Sequence, residues 1–114
     1  FHATGGLHNA AISDGAQFYI HRQDIGRHNA LDKLYGYCIE RHIIVRDKTL
    51  IFSGRISSEI LIKAAKIGVG MIISKSAPTT LAVQLAEDLN ITAIGFVRDG
   101  HFNIYSHPER VQNL

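Results

Sequence analysis

The stretch TLIFSGRISSEILIKAAKIGVGMIISKSAPTTLAVQLA, residues 49–86, decides the fold. It contains two short apolar segments, Thr49 to Phe52 and Val69 to Ser74, which are typical of strands covered on both faces. Each runs into a Ser- or Thr-rich turn that opens a segment with helical spacing of apolar residues, one through Lys66 and one from Thr79 to Leu89. This alternation of strand, turn and helix predicts an α/β fold with a layered sheet.

The flanking sequence extends the same alternation. Upstream, Thr4 to Ile12 fits a short helix or turn, and Ala16 to His21 has the composition of a strand. The segment from Arg27 to Arg41 has apolar residues at steps of three and four, which predicts an amphipathic helix. Downstream, Thr92 to Val97 and Phe102 to Ser106 flank a turn that contains glycine, and they predict a β-hairpin.

Composition limits the classes of protein to consider. The 114 residues are 46% hydrophobic, which fits a single α/β domain over residues 1–114 with one core. Twelve basic and ten acidic residues give a formal charge of +2, a mild excess that argues against binding to nucleic acid. No apolar run approaches the roughly 20 residues that span a bilayer, so no membrane association is expected. The abrupt start at Phe1 leads us to expect the larger C-terminal part of a longer protein.

The single cysteine, Cys38, falls on the apolar face of the predicted helix from Arg27 to Arg41. One cysteine forms no internal disulfide, and no Cys/His spacing typical of a zinc site occurs, so no metal site is predicted. A reducing cytosol fits this cysteine usage. We interpret Cys38 as a buried core thiol, because a reactive thiol needs an electropositive and partly open setting.

Three turns combine a cation with small hydroxyl, amide or glycine residues. They are residues 26–29 (GRHN), 53–57 (SGRIS) and 74–79 (SKSAPT). Ligands of open α/β sheets bind at the carboxyl ends of the strands, where helix N-termini offer free N–H groups to phosphate. The turns therefore predict a site for a diphosphate or nucleotide, with these candidate residues: Arg27, His28, Ser53, Arg55, Ser76 and Thr79.

The hydroxyl residues of these turns also have an ordinary structural interpretation. Ser53, Ser57, Ser76 and Thr79 suit the N-cap positions of helices, where a side-chain oxygen accepts a hydrogen bond from the first turn. The sequence leaves both interpretations open.

The basic start of the first helix has two interpretations as well. Arg27 stands where the helix dipole disfavours a cation, so either a bound anion or a carboxylate such as Asp24 or Glu59 offsets its charge. His28 and Asp32 lie one helical turn apart and suit either a proton relay or a simple side-chain contact.

Five motifs occur in this order: TGGLH (4–8), RQDIGRHNALDK (22–33), SGRISSE (53–59), SAPTTLAVQLA (76–86) and ITAIGFVRDGHFNIYSHPER (91–110). Together they resemble the formate dehydrogenase accessory protein family, the FdhD sulfurtransferases. The resemblance implies a mixed sheet with helices on both faces, similar to cytidine deaminases, in a cytoplasmic homodimer. The CxxC persulfide loop of the family lies upstream of TGGLH, and Cys38 does not match that loop.

The resemblance also implies a sulfur-transfer role. Family members take persulfide sulfur from a cysteine desulfurase and pass it to the molybdenum or tungsten bis(guanine dinucleotide) cofactor before that cofactor enters formate dehydrogenase. The cofactor is expected to bind at the segment FVRDGH, with GDP as a mimic, at these residues: Phe96, Val97, Arg98, Asp99, Gly100 and His101. An aromatic ring, a guanidinium and a carboxylate suit a purine face, a phosphate and a guanine edge. Without the resemblance, the same segment fits a plain hairpin turn.

Two other kinds of function stay open from the sequence. The first is a nucleotide-binding or deaminase-like enzyme that acts on a purine nucleotide, and the lack of zinc-ligand motifs counts against it. The second is an assembly module without activity of its own.

Overall fold

The computed structural model describes residues 8–13, 18–24 and 26–111, and this part of the chain forms one mixed sheet with three helices. The strands are β1 (His8–Ser13), β2 (Phe18–Asp24), β3 (Thr49–Phe52), β4 (Met71–Ser74), β5 (Thr92–Arg98) and β6 (His101–Ile104). The helices are α1 (Arg27–Arg41), α2 (Ser58–Ile67) and α3 (Thr80–Asp88), and a 3₁₀ turn follows at Pro108–Arg110.

The six strands lie in the order β2-β1-β3-β4-β5-β6. Strands β3, β4 and β5 are parallel, whereas β1 is antiparallel to both of its neighbours and β6 is antiparallel to β5. The predicted α/β class and mixed sheet are confirmed.

The helices follow the sequence pattern closely. Helix α1 has the predicted bounds, and α2 and α3 begin after the N-caps Ser57 and Thr79. Helix α2 ends at Gly68, whose φ of 102° is a left-handed conformation that glycine adopts without strain, and its N–H donates to the Ala64 carbonyl. No helix in the described part is long and apolar enough to cross a membrane.

The first strand corrects the expectation of a helix or turn from Thr4 to Ile12. Residues 8–13 form β1, which pairs with β2 on one side and with β3 on the other. Residues 4–7 lie outside the described part. The alanine pair Ala10 and Ala11 favours helix locally, but ladder bonds to two strands and burial of both side chains prevail.

All three described helices pack on one face of the sheet. They share a single buried cluster with alternate strand residues, among them Ile12, Leu50, Phe52 and Ile72. Each helix links two parallel strands and crosses the sheet in the same direction, and crossovers of this kind are right-handed, so the helices fall on the same side. The expectation of helices on both faces therefore differs from what the described residues show.

The opposite face of the sheet is only partly covered at its centre. On β3 and β4 the residues alternate between buried and half-buried, with Ile51 and Ile73 half-buried on the side away from the helices. Both strands are apolar throughout, which predicted cover on both faces. The structure shows full burial of one face only.

The segment after β6 packs over the edge where the parallel strands begin. The Ser106 hydroxyl accepts a hydrogen bond from the Ala93 N–H at 2.9 Å and donates to the Ile91 carbonyl at 2.7 Å. The Thr92 hydroxyl donates to the His107 carbonyl at 2.8 Å. These bonds attach the segment to β5.

The His107 ring holds the same segment against the end of α3. Its Nε2 lies 2.8 Å from the Glu87 carbonyl oxygen, and its Nδ1 lies 3.0 Å from Oε1 of Glu109. Because both ring nitrogens face acceptors, the Glu87 carbonyl first and the Glu109 carboxylate second raise the pKa of His107. A hydrogen bond from its own backbone N–H, followed by the bond from His107, lowers the pKa of Glu109.

Candidate functional site

The three predicted turns and the β5–β6 hairpin meet at one edge of the sheet, which we call the carboxyl edge. Strands β2 and β3 flank β1 and are both antiparallel to it, so they run in the same direction as β4 and β5. The turns after β2, β3 and β4, at residues 26–29, 53–57 and 74–79, therefore open at this edge together with Asp99 and Gly100 of the hairpin.

Hydrogen bonds join the second turn to the third. The buried Ser74 hydroxyl donates to the Gly54 carbonyl at 2.6 Å and accepts from the Ser76 N–H at 3.1 Å. The Thr79 N–H donates to the Ile56 carbonyl at 3.0 Å. The two turns consequently form one connected backbone surface.

Of the hydroxyl residues in these turns, Ser57 and Thr79 act as N-caps. The Ser57 hydroxyl accepts from the Ile60 N–H at 3.2 Å, and the Thr79 hydroxyl accepts from the Ala82 N–H at 3.1 Å. Ser53 and Ser76 are half-buried and precede the cap positions. The capping interpretation thus holds for Ser57 and Thr79, whereas Ser53 and Ser76 do not occupy cap positions.

Helix α1 begins without a carboxylate in its first turn. Its N-cap is Gly26, which has no side chain that could cap the helix. The side chains of Arg27 and Asp24 lie outside the described residues. His28 is half-buried, and the Asp32 carboxylate accepts a hydrogen bond from Lys63 of α2 at 2.8 Å, so the structure pairs Asp32 with another helix and not in a relay with His28.

Two cations of the second and third turns have no protein partner in the described part of the chain. Arg55 and Lys75 are both exposed, and neither forms a hydrogen bond or ion pair with the described residues, Glu59 included. An exposed cation that is not paired with a carboxylate is free to bind an anionic ligand.

The FVRDGH segment contains a two-residue hairpin turn and a β-bulge. Asp99 and Gly100 have φ of 51° and 78°, as a type I′ turn requires, which confirms the predicted hairpin. Between Gly95 and Arg98 the register with β6 shifts, and Phe96 in this bulge has φ of 57°. A left-handed aromatic residue is strained, and such residues cluster at functional sites.

The side chains of this segment differ in exposure. Phe96 is 40% exposed, and Asp99, Gly100 and His101 are exposed as well. Val97 is half-buried, and the Arg98 side chain lies outside the described residues. The bulge lies near the carboxyl end of β5, and the Phe96 side chain is partly exposed there; a partly exposed aromatic ring is what stacking on a purine requires.

A pocket of about 260 Å³ lies where β3, β4 and β5 end. Ile51, Ile73 and Val97 form its apolar wall, and Ser53 and Lys75 lie at its polar rim. The sequence reasoning missed Lys75 and Ile73. Both residues could have been identified from the sequence, because Lys75 belongs to the third turn and Ile73 alternates with the buried Ile72.

Glycine at position 95 sets how closely β5 approaches the third turn. A Cβ atom there would lie 2.7 Å from the Ser76 carbonyl oxygen, 3.1 Å from Cδ of Pro78 and 3.2 Å from Cε2 of Tyr105. Only glycine allows this approach, which places the Phe96 bulge beside the turn.

Cys38 is 5% exposed among the apolar residues of α1, as the sequence indicates. Among the described residues, no group of three His, Cys, Asp or Glu side chains is arranged to hold a metal ion.

Comparisons with known proteins agree with the family that the motifs suggest. The model of the FdhD/NarQ family matches residues 1–112. Proteins named sulfur carrier protein FdhD from Staphylococcus aureus strains JH9 and Newman are each 82% identical to this chain over 111 residues, which are 97% of this chain and 42% of the relative. This chain thus spans less than half the length of these curated relatives.

A solved structure has the same fold. The crystal structure of a putative formate dehydrogenase accessory protein from Desulfotalea psychrophila superposes with a TM-score of 0.85 and 27% sequence identity. The match covers 93% of this chain and 46% of that one.

Proposed function

We propose, from the premise that this chain belongs to the FdhD/NarQ family, that its carboxyl edge is the cofactor-binding surface of a sulfur carrier. The carrier takes persulfide sulfur from a cysteine desulfurase and passes it to the molybdenum or tungsten bis(guanine dinucleotide) cofactor, which then enters formate dehydrogenase. The cofactor is the cargo of this protein. The protein acts in the cytoplasm as a homodimer with a cytidine-deaminase-like fold.

The observation that carries this proposal is the convergence of three basic turns and the Phe96 bulge at one edge. The cofactor is a large polyanion with two diphosphates and two guanines, so it needs several phosphate contacts and more than one flat apolar surface. Arg55 and Lys75 supply unpaired cations, and the exposed Phe96 ring supplies a stacking surface. The start of α1 offers backbone N–H groups without a competing carboxylate in its first turn.

Within this role, Cys38 does not carry the sulfur. Its thiol is buried on α1, and a persulfide acceptor must be reached by the desulfurase. The family carries the persulfide on cysteines of a CxxC loop upstream of the TGGLH motif. The part described here contributes the binding of the cofactor and its orientation.

Calorimetric titration with GDP, and with ADP as the comparison, tests the proposal. GDP is expected to release heat in a saturable titration. ADP is expected to bind more weakly, because its base lacks the guanine N1–H and N2–H groups that donate hydrogen bonds to Asp99. Circular dichroism of the same sample establishes that the protein is folded. Negligible heat for both nucleotides with a folded protein would refute the proposal.

A pair of arginine variants tests whether GDP binds at the carboxyl edge. Arg55→Ala removes a cation that is unpaired in the described part, and it is expected to weaken GDP binding by about 1.5 to 3 kcal/mol, as for a hydrogen bond to a charged group. Arg41→Ala is the control, because Arg41 lies in the last turn of α1, over the Tyr37 ring. Equal losses for the two variants would contradict the placement.

A further inference from the structure

A second cleft lies at the opposite edge of the sheet, where β3, β4 and β5 begin. A cavity of about 420 Å³ lies next to one of about 190 Å³, and the two share three lining residues, Arg46, Gly70 and Arg110. We call the two together the amino-edge cleft. It lies outside every segment used in the proposed function.

Two arginines from distant parts of the chain meet in this cleft. The Nη1 atom of Arg110 donates to the Gly70 carbonyl at 2.9 Å and to the Thr92 hydroxyl at 3.1 Å, which fixes the plane of the guanidinium. Arg46 is exposed and has no hydrogen-bond or ion-pair partner in the described part of the chain. A Cβ atom on Gly70 would lie 2.9 Å from the Arg46 carbonyl oxygen and 3.3 Å from Nε of Arg110. Glycine therefore lets the Arg110 side chain pack against the backbone of Arg46, and both arginines line the cleft.

The sum of the local charges favours an anion. The ends of α2 and α3 line the cleft at Gly68 and Leu89, and each helix C-terminus has a partial charge of about −0.5. Two guanidinium groups exceed this negative charge. The Glu109 carboxylate, which interacts with Arg110, is itself bonded to His107 at 3.0 Å. The nearby Asp47 carboxylate adds none of its own to the balance, because it is paired with Lys48 at 3.1 Å.

The rest of the lining is mixed. Asp47, Lys48, Thr49 and Asn90 are polar, and the other part is apolar. Ala65, Val69 and Ile91 contribute to the wall together with Leu89, whose side chain is 45% exposed. An apolar wall beside two guanidinium groups fits a ligand that has an apolar body and a charged head.

We propose that the amino-edge cleft binds a small oxyanion ligand with an apolar group. The Arg46 and Arg110 guanidinium groups contact the phosphate or carboxylate, and the apolar group packs against Ala65 and Leu89. This site is separate from the carboxyl edge, so both edges bind their ligands at the same time.

Titrations followed by NMR test the proposal with three probes: phenyl phosphate, benzoate and inorganic phosphate. Phenyl phosphate is expected to give saturable shifts of the Gly68, Gly70 and Asn90 amide signals in the millimolar range, as suits a ligand of this size. Inorganic phosphate is expected to bind more weakly because it lacks the apolar group, and benzoate shows whether the head group is a carboxylate. The absence of saturable shifts at these amides with both aromatic probes would overturn the proposal.

An Arg46→Gln variant provides the residue-level test, since Arg46 forms no side-chain bond within the described part that its loss would break. Affinity for the tighter aromatic probe is expected to fall about tenfold. The control is Arg41→Gln, for which no change is expected. If both variants lose affinity equally, the cleft is not the site. The outcome is independent of whether GDP itself binds.

Discussion

Two glycine-to-alanine substitutions test the packing that supports the candidate site, because their expected effects on the free energy of unfolding have opposite signs. Gly95→Ala introduces a methyl group 2.7 Å from the backbone carbonyl oxygen of Ser76 and 3.1 Å from the Pro78 ring. Neither neighbour is the far end of a flexible side chain, so β5 or the third turn must move, at a cost of about 1 to 3 kcal/mol. Gly36→Ala places the same methyl group on the exposed side of α1 with no atom within 4 Å, and it is expected to stabilise by about 0.5 to 1 kcal/mol.

Urea denaturation of the two variants and the parent protein measures both effects under the same conditions. The free energies of unfolding of the variants are expected to differ by about 1.5 to 4 kcal/mol, with the parent between them. Gly95→Ala is also expected to weaken GDP binding, because the Phe96 bulge moves away from the third turn, whereas Gly36→Ala leaves it unchanged. If Gly95→Ala is as stable as Gly36→Ala, the close approach at Gly95 does not constrain the edge and this reasoning is wrong.

Three further substitutions or assays address other parts of the molecule. Ser74→Ala leaves the buried Gly54 carbonyl and the half-buried Ser76 N–H without their partner. Chemical denaturation should therefore show a free energy of unfolding lower by about 2 to 4 kcal/mol. A decrease under about 0.5 kcal/mol would mean that this hydroxyl does not hold the turns together. Because the pKa of His107 is raised in the folded protein, the stability that its protonation contributes is fully present below the ordinary pKa of 6.5 and is lost as the pH rises through the folded value. The difference in free energy of unfolding between the parent and His107→Gln should therefore shrink at alkaline pH. A difference that grows there would contradict the pairing. Incubation with a cysteine desulfurase and cysteine should leave Cys38 without persulfide by mass spectrometry, and a stoichiometric adduct would show that the buried thiol is reached.

Local pattern was enough to predict the helices and the parallel strands. Ala30, Leu34 and Cys38 lie at steps of four along α1 and are all buried, so the period of the sequence matched the packing. Strand β1 was missed because its conformation depends on partners far along the chain. The Ala10 and Ala11 pair carries no strand signal, and its state follows from its place between β2 and β3.

The site was predictable in outline for the same reason. Turns after apolar strands can be read from the sequence, and parallel strands bring them to one edge. The roles of Ser74 and Gly95 depend on distances across the sheet, to Gly54 and to Ser76, which no local spacing encodes. Lys75 was within the quoted turn, but its place at the rim of the pocket follows only from the neighbouring positions of Ile51 and Val97.

The left-handed backbone at Phe96 has a consequence for laboratory evolution of this protein. Glycine adopts a φ of 57° without the steric cost of about 1 kcal/mol or more that an aromatic residue incurs there. A library screened only for resistance to heat or protease will therefore enrich glycine or asparagine at position 96, and the enriched clones will lack the exposed ring. Under the proposed stacking role of Phe96, a screen that alternates heat challenge with capture on immobilised GDP is expected to retain phenylalanine at this position, whereas the heat-only screen is not.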